Sequence, residues 1–271
     1  MTLRTSSASS SSKKRIAWGW IVTGSLSGIA LVIAFLAPAS WLANYIAESS
    51  QARLQLLSPR GTVWNGSAQV KLGAGKGSID EASLTGRLFW KLRPSTQGIV
   101  LTLQSECCIS KPWQWVITPT LQGPRINISD LPATEPSIWP SAILSGLGTP
   151  WNTMQLQGSL SLTTRQLSLQ WNQGNWNMVG HAQLDAIEIT TSLSTLKPVG
   201  SYRFSLQGGQ SPYLQLSTLE GSLQLHGSGY WVNHKLQFNG EASAETERAD
   251  ALANLLNIIG RREGARVIIK I

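Results

Sequence analysis

An uncharged apolar run, Ile16 to Ala37, follows directly behind the basic triplet Lys13, Lys14 and Arg15. The run has 22 residues and no Asp, Glu, Lys or Arg. A helix of about 20 such residues crosses a hydrocarbon core about 30 Å thick, so a single transmembrane helix is expected over 16–37. The triplet then forms a positive-inside flank on the cytoplasmic side, and residues 38–271 lie across the membrane. Trp18 and Trp20 stand at the start of the run, Trp41 and Tyr45 just past its end. From Trp20 to Trp41 a helix rises about 31 Å at 1.5 Å per residue, the separation of two interfacial aromatic belts. A cleaved signal peptide is the rival reading, because Ala37-Pro38-Ala39 forms a small-x-small cleavage site. Signal h-regions run about 7–15 residues, and this longer run favours a retained anchor. No polar face interrupts it, which argues against a helix packed in a soluble core.

Charge follows the same division. The chain carries 22 Lys and Arg against 14 Asp and Glu, a net +8. Arg4, Lys13, Lys14 and Arg15 supply +4 with no acid among the first fifteen residues. The Ser- and Thr-rich segment 1–15 has too little apolar surface to offset chain entropy and reads as a disordered cytoplasmic tail. The remaining +4 is spread over the rest of the chain. No basic cluster interleaved with aromatics occurs, so nucleic acid is not an expected partner.

Beyond the run, apolar and polar residues alternate in short segments separated by Gly, Asn and Ser. Leu54–Leu56, Val70–Leu72, Leu84–Leu92, Val100–Gln104, Met154–Leu162, Leu167–Trp171, Trp176–Ile189, Tyr202–Leu206, Tyr213–Leu225 and Leu236–Ala244 all read this way. Period two with one apolar face marks half-buried antiparallel strands. The expected fold is mainly β: an antiparallel curved sheet, sandwich or partly closed barrel behind the N-terminal helix. Residues 38–130 form a first β region and 152–271 a second. Between them, 131–151 carries Pro132, Pro136, Pro140 and Pro150. Proline donates nothing to a sheet ladder, so this segment reads as a domain linker or a long crossover, with at most a short helix at 141–145. Leu156–Leu162 and Leu219–Leu225 share the pattern Leu-x-Gly-x-Leu-x-Leu, which any glycine-punctuated meander produces.

One amphipathic helix stands near the C-terminus. Thr246 is placed to cap it, Leu252, Leu255, Leu256 and Ile259 recur at helical spacing, and Gly260 is placed to close it ahead of Arg261 and Arg262. The expected role is packing on the sheet, with docking to a membrane partner or lipid surface as the alternative. Val267–Ile271 reads as a last strand.

Catalytic signals are weak. His181, His226 and His234 have no metal-ligand spacing, no Gly-x-Ser-x-Gly elbow occurs, and Gly73–Ser78 lacks the spacing of a phosphate loop. No catalytic, metal or cofactor residues are therefore assigned. Cys107 and Cys108 are the only cysteines and are adjacent. A vicinal disulfide, two reduced thiols and a bond to a partner chain all remain open. Adjacent trans Cα atoms lie about 3.8 Å apart, below the usual disulfide span, while an oxidising compartment favours the bond. The twelve tryptophans are core material first and interface anchors second.

Several motifs, in order, carry a family resemblance. They are Gly61-Thr-Val-Trp64-Asn-Gly66, then Leu88-Phe-Trp90-Lys-Leu-Arg-Pro94, then the stretch Gly146 to Gly158 with Gly148, Pro150 and Trp151, then Ser194 to Arg203, and last Gly260 to Gly264. The set resembles type II secretion system protein N, the GspN family of Gram-negative bacteria. The resemblance implies a single-pass inner-membrane protein with its N-terminus cytoplasmic and its β domain periplasmic. It implies an accessory, non-enzymatic part of the machinery that moves folded proteins from the periplasm across the outer membrane. Its partners would be other inner-membrane and periplasmic components of that system, with the outer-membrane secretin as a further candidate. No catalytic residue or cofactor comes with the family. On their own chemistry Gly61 and Gly66 bracket a strand turn, and Trp64 and Trp90 fill core. A lipid-binding or lipid-transfer domain, as in AsmA-like and lipopolysaccharide-bridge proteins, is the alternative, since long meanders also build curved sheets with a greasy inner face. An open groove rather than a filled core is what would distinguish it.

Overall fold

A computed structural model describes residues 18–172, 174–232, 235–264 and 266–270. The expected tail 1–15, with Lys13, Lys14 and Arg15, lies outside the described residues, as does His234. The chain divides into two units, Met1–Ala37 and Pro38–Ile271.

The first unit contributes helix α1 (Trp18–Leu36). Of the expected aromatic belt at its start, Trp18 and Trp20 fall on the helix, but their side chains are outside the description. Ile21, Leu26, Leu31, Val32 and Phe35 are exposed. Among the described residues no helix is long and apolar enough to cross a membrane.

The second unit is a meander. Helix α2 (Ala39–Ser49) leads into β1 (Leu54–Gly61), β2 (Asn65–Gly73), β3 (Glu81–Ser83), β4 (Leu88–Ser95), β5 (Gly98–Ser105), β6 (Ile109–Thr120), β7 (Gly123–Ile128) and β8 (Ser137–Pro140). A 3₁₀ helix at Ser141–Leu147 and the single turn α3 (Trp151–Met154) follow. Then come β9 (Gln157–Asn172), β10 (Asn175–Thr190), β11 (Gly200–Gln207), β12 (Tyr213–Glu220), β13 (Leu223–Val232), β14 (Lys235–Ala244), α4 (Ala249–Ile259), β15 (Arg261–Glu263) and β16 (Arg266–Lys270). All strands join one sheet in the order β1-β2-β4-β5-β6-β7-β9-β10-β11-β12-β13-β14-β16-β15, with β3 on β2 and β8 on β9. Every pairing is antiparallel, as the period-two pattern leads one to expect.

β7 pairs with β9 through Ile126↔Leu169, so the proline-rich 131–151 segment connects two strands of one sheet. Within it, β8 lies against the start of β9, Trp139 opposite Leu160. The two Leu-x-Gly-x-Leu-x-Leu stretches have different structures. Gly158 sits inside β9 at positive φ, whereas Gly221 lies in the turn between β12 and β13.

Several boundaries differ from the sequence reading. Leu84 to Leu92 is not one strand: Gly86 takes a positive φ and β4 starts at Leu88. Met154 closes α3, and β9 begins only at Gln157. Thr246 does not cap α4; residues 246–248 form a 3₁₀ turn, and α4 starts at Ala249 without a side-chain cap. Gly260 leaves the helix in extended backbone, where an added Cβ would stand 2.4 Å from the Ile268 carbonyl oxygen. Close packing against β16, rather than a left-handed cap, explains that glycine. Arg261 and Arg262 belong to β15. Strands β6 and β7 carry Pro112, Pro119 and Pro124, which hide them from a pattern search even though Trp113, Trp115 and Ile117 alternate.

One face of the sheet carries the core, in adjoining parts. On the second half α4 covers β11–β14 and β16, with Leu252, Leu255 and Leu256 buried among Leu216, Leu223, Phe238 and Val267. On the first half α2 and the 3₁₀ helix cover β1–β5, with Ala39, Ala43 and Ile143 against Leu56, Ala68, Val70 and Trp90. Between them Ile109, Trp113, Ile128, Leu131 and Leu167 form a third cluster.

Candidate functional site

Gly61, Trp64, Gly66, Trp90 and Pro94 meet at the β1–β2 hairpin and the strand beside it. Gly66 pairs opposite Trp90. An added Cβ there would lie 2.5 Å from Trp90 Cζ2 and 2.8 Å from the carbonyl oxygens of Arg60 and Thr62. The indole therefore lies on bare backbone, and its Nε1 donates to the Val63 carbonyl at 3.0 Å. Gly61 has φ +86°, a left-handed conformation that glycine adopts at no steric cost. Its own Cβ would meet the Asn65 carbonyl oxygen at 2.4 Å. Trp64 occupies the hairpin tip, and the Leu92 N–H donates to its carbonyl. Pro94 is exposed near the end of β4, opposite Ile99.

Gly148, Pro150 and Trp151 form a second group. Gly148 (φ +81°) ends the 3₁₀ helix, and the Thr149–Pro150 peptide is cis. Trp151 packs against the α4-side core. Gly146, next to this group, brings the 3₁₀ helix against β2: a Cβ would stand 2.5 Å from the Leu72 carbonyl oxygen.

Cys107 and Cys108 sit in the β5–β6 turn and are bonded to each other. The Cys108 carbonyl accepts from Ser137 Oγ at 2.9 Å and from the Ile138 N–H at 3.0 Å. Ser137 Oγ in turn accepts from Trp139 Nε1 at 2.7 Å. The pair thereby fastens the turn to β8.

Titratable chemistry is sparse. Among the described residues no group of three or more His, Cys, Asp and Glu could hold a metal ion. His181 and His226 are exposed on strands. Asp185 and Arg203 face each other across β10 and β11 in a bidentate pair, both hydrogen bonds 2.8 Å. The hydrogen bond to Asp185 holds the Arg203 pKa above its usual value. Burial pushes the Tyr202 phenol up, and its Oη has no partner among the described residues. Neither forms an acid–base set with a neighbour.

An open groove, the feature that separates the lipid-binding alternative from a filled core, lies on the apolar face: about 600 Å³ between the strands of the first half and β9 and β10. α2 supplies Leu42 and Ile46, and strands β1 and β2 supply Leu54, Leu56, Val70 and Leu72. β4 and β5 add Leu88, Trp90, Leu92, Leu101 and Leu103. The far wall is Trp139, Ile143, Leu160, Leu162 and Leu184. All eighteen lining residues are Leu, Ile, Val or Trp. The alternation pattern places most of these on one face. It carries no signal that the opposing elements leave space between them.

Two further groups of large apolar side chains are exposed. Trp41 and Tyr45, four residues apart on α2, are 54% and 70% exposed, on the face away from buried Ala39 and Ala43. In a meander, alternate hairpins fall at the same rim. The rim that holds the β4–β5, β6–β7, β9–β10, β11–β12 and β13–β14 hairpins exposes Ile99, Leu121, Trp176, Tyr213, Tyr230 and Trp231. Trp171 and Trp176 stack edge to face there, 5.2 Å apart.

No curated protein and no solved structure matches the chain. The family model of type II secretion system protein N matches residues 52–269, from the start of β1 to the last strand. That span takes in each group of motif residues described above and nearly all of the sheet. The chain belongs to the type II secretion system protein N family.

Proposed function

We propose that this chain is an accessory component of the type II secretion machinery, held in the inner membrane by residues 16–37, and that it works through protein contacts of a periplasmic β domain. The observation that carries this reading is the family match over 52–269. The machinery exports folded proteins, and an accessory part needs binding surface rather than catalytic groups. The hairpin rim offers a candidate, with exposed apolar side chains at several successive hairpins. Leu121 is its most exposed member, and Trp176 stands at the hairpin of the next strand pair. The anchor is supported by the uncharged run, its basic flank, and the exposed apolar side chains of α1.

The test is a secretion assay in cells that lack the native copy. The full chain should restore export, and a version without 38–271 should not. A photoreactive residue at position 121 or 176 should capture another secretion component, the inner-membrane proteins and the secretin being the partners expected. Unchanged export without the chain, or capture of nothing from the machinery, would refute this role.

A further inference from the structure

We infer that the groove on the first half of the sheet holds one acyl chain of a membrane glycerophospholipid. The inference rests on the proposed anchor only for where the lipid comes from; the groove itself is a property of the β unit.

The lining dictates the chemistry of the occupant. None of its residues carries a charge, and its two indole N–H groups already donate elsewhere, Trp90 to Val63 and Trp139 to Ser137. Water in the groove finds no polar partner on its walls, and a hydrocarbon occupant would remove that apolar surface from water. The buried part of the ligand is therefore hydrocarbon without polar groups.

Dimensions narrow it further. The Leu88 row and the Ile117 row lie six residues apart along the strands, since Leu92 pairs Leu101 and Ile99 pairs Ile117. At about 3.3 Å per residue that is about 20 Å. An extended hydrocarbon chain lying along that length meets only apolar side chains. An extended peptide would bury N–H and C=O groups against side chains whose own strands are already paired, leaving those groups unsatisfied.

The second half of the sheet shows the contrast. There α4 fills the equivalent face with Leu252, Leu255 and Leu256. On the first half α2 and the 3₁₀ helix cover only part of the face and leave the groove between themselves and the strands.

The source is indicated by α2. One face of this helix lines the groove through Leu42 and Ile46, and the other exposes Trp41 and Tyr45. Trp and Tyr are enriched at the headgroup level of membranes. Leu42 is six residues along the chain from the last residue of α1. In a chain anchored over 16–37, α2 is the first element of the β unit to follow the span in sequence.

The experiment uses the full chain in its membrane. Cells are grown with a diazirine fatty acid that enters phospholipids, then irradiated, and adducts are mapped by peptide mass spectrometry. Phospholipid-mass adducts are expected on peptides that carry Leu88–Leu103 and Leu160–Leu184. They should fall at least tenfold in Leu101→Trp, which fills the groove, and persist in Leu101→Met. Should Leu101→Trp fail to accumulate, Leu162→Phe narrows the opposite wall and gives the same readout. No adducts on these peptides, adducts equal in the filled variants, or adducts of another lipid class would each overturn the proposal. Adducts on the lining but none on 18–36 would instead refute the anchor and leave the groove's ligand standing.

Discussion

Gly66 and Trp90 show how single positions hold the first half together. The indole occupies the space where a Cβ would be, so Gly66→Ala must displace either the ring or the hairpin backbone. Overpacking of this kind costs about 1–3 kcal/mol, measurable as a lower denaturation midpoint of the β unit. Ser137 is a polar counterpart: buried, it both donates to Cys108 and accepts from Trp139. Ser137→Ala strands an indole N–H, and a loss of about 1–3 kcal/mol is expected by chemical denaturation. Tyr202 is the opposite case. Its phenol is buried without a hydrogen-bond partner, so Tyr202→Phe should be neutral or stabilising by up to about 1 kcal/mol. The pH dependence has a definite sign. Burial raises the folded-state pKa above the ordinary value of 10.0, so below pH 10 both states hold the proton and nothing changes. Above it, the unfolded chain releases the proton first and stability falls as pH rises. Unfolding of Tyr202→Phe should lack that part of the alkaline loss.

Among the elements, α4 and the strands of the groove differ in what they bury. Leu252 is fully enclosed, and Leu252→Ala should cost about 2–5 kcal/mol. Leu101 faces a space that already exists, so Leu101→Ala enlarges the groove and should cost less than about 2 kcal/mol, with no new enclosed cavity. Thermal or denaturant unfolding of the two variants decides the order, and equal losses would mean the groove is closed. Legibility from sequence also divides here. β9, β10 and β14 show clear alternation with polar outer residues. β6 and β7 are masked by Pro112, Pro119 and Pro124, although Trp113, Trp115 and Ile117 alternate. α2 escaped notice because its apolar stripe is short and follows directly on a longer apolar run. For α4 the stripe gave the right face, while its expected caps at Thr246 and Gly260 proved to be a 3₁₀ turn and a close approach to β16.

For the molecule as a whole, the family match spans nearly all of the sheet, and the exposed rim and the groove are where the molecule departs from a merely packed domain. The rim can be tested without touching the core. Leu121→Asp lies at a hairpin tip with its side chain in solvent, so stability should stay within about 0.5 kcal/mol. Export in the secretion assay should nonetheless fall if the rim docks the machinery. Unaffected export would move the contact surface elsewhere.

The sequence alone determined the antiparallel β class, the uncharged N-terminal run, the C-terminal helix and the family, because these are written in local periodicity, charge and ordered motifs. It left open whether 131–151 separates two domains and whether the greasy face is filled. Both were decided by tertiary structure: β7 pairs with β9 across the proline-rich segment, and the sheet face is covered by α4 on one half and only partly by α2 on the other. Alternation states which side chains point inward. How far the elements facing them stand off, and so whether a groove remains, depends on long-range packing that no local pattern encodes.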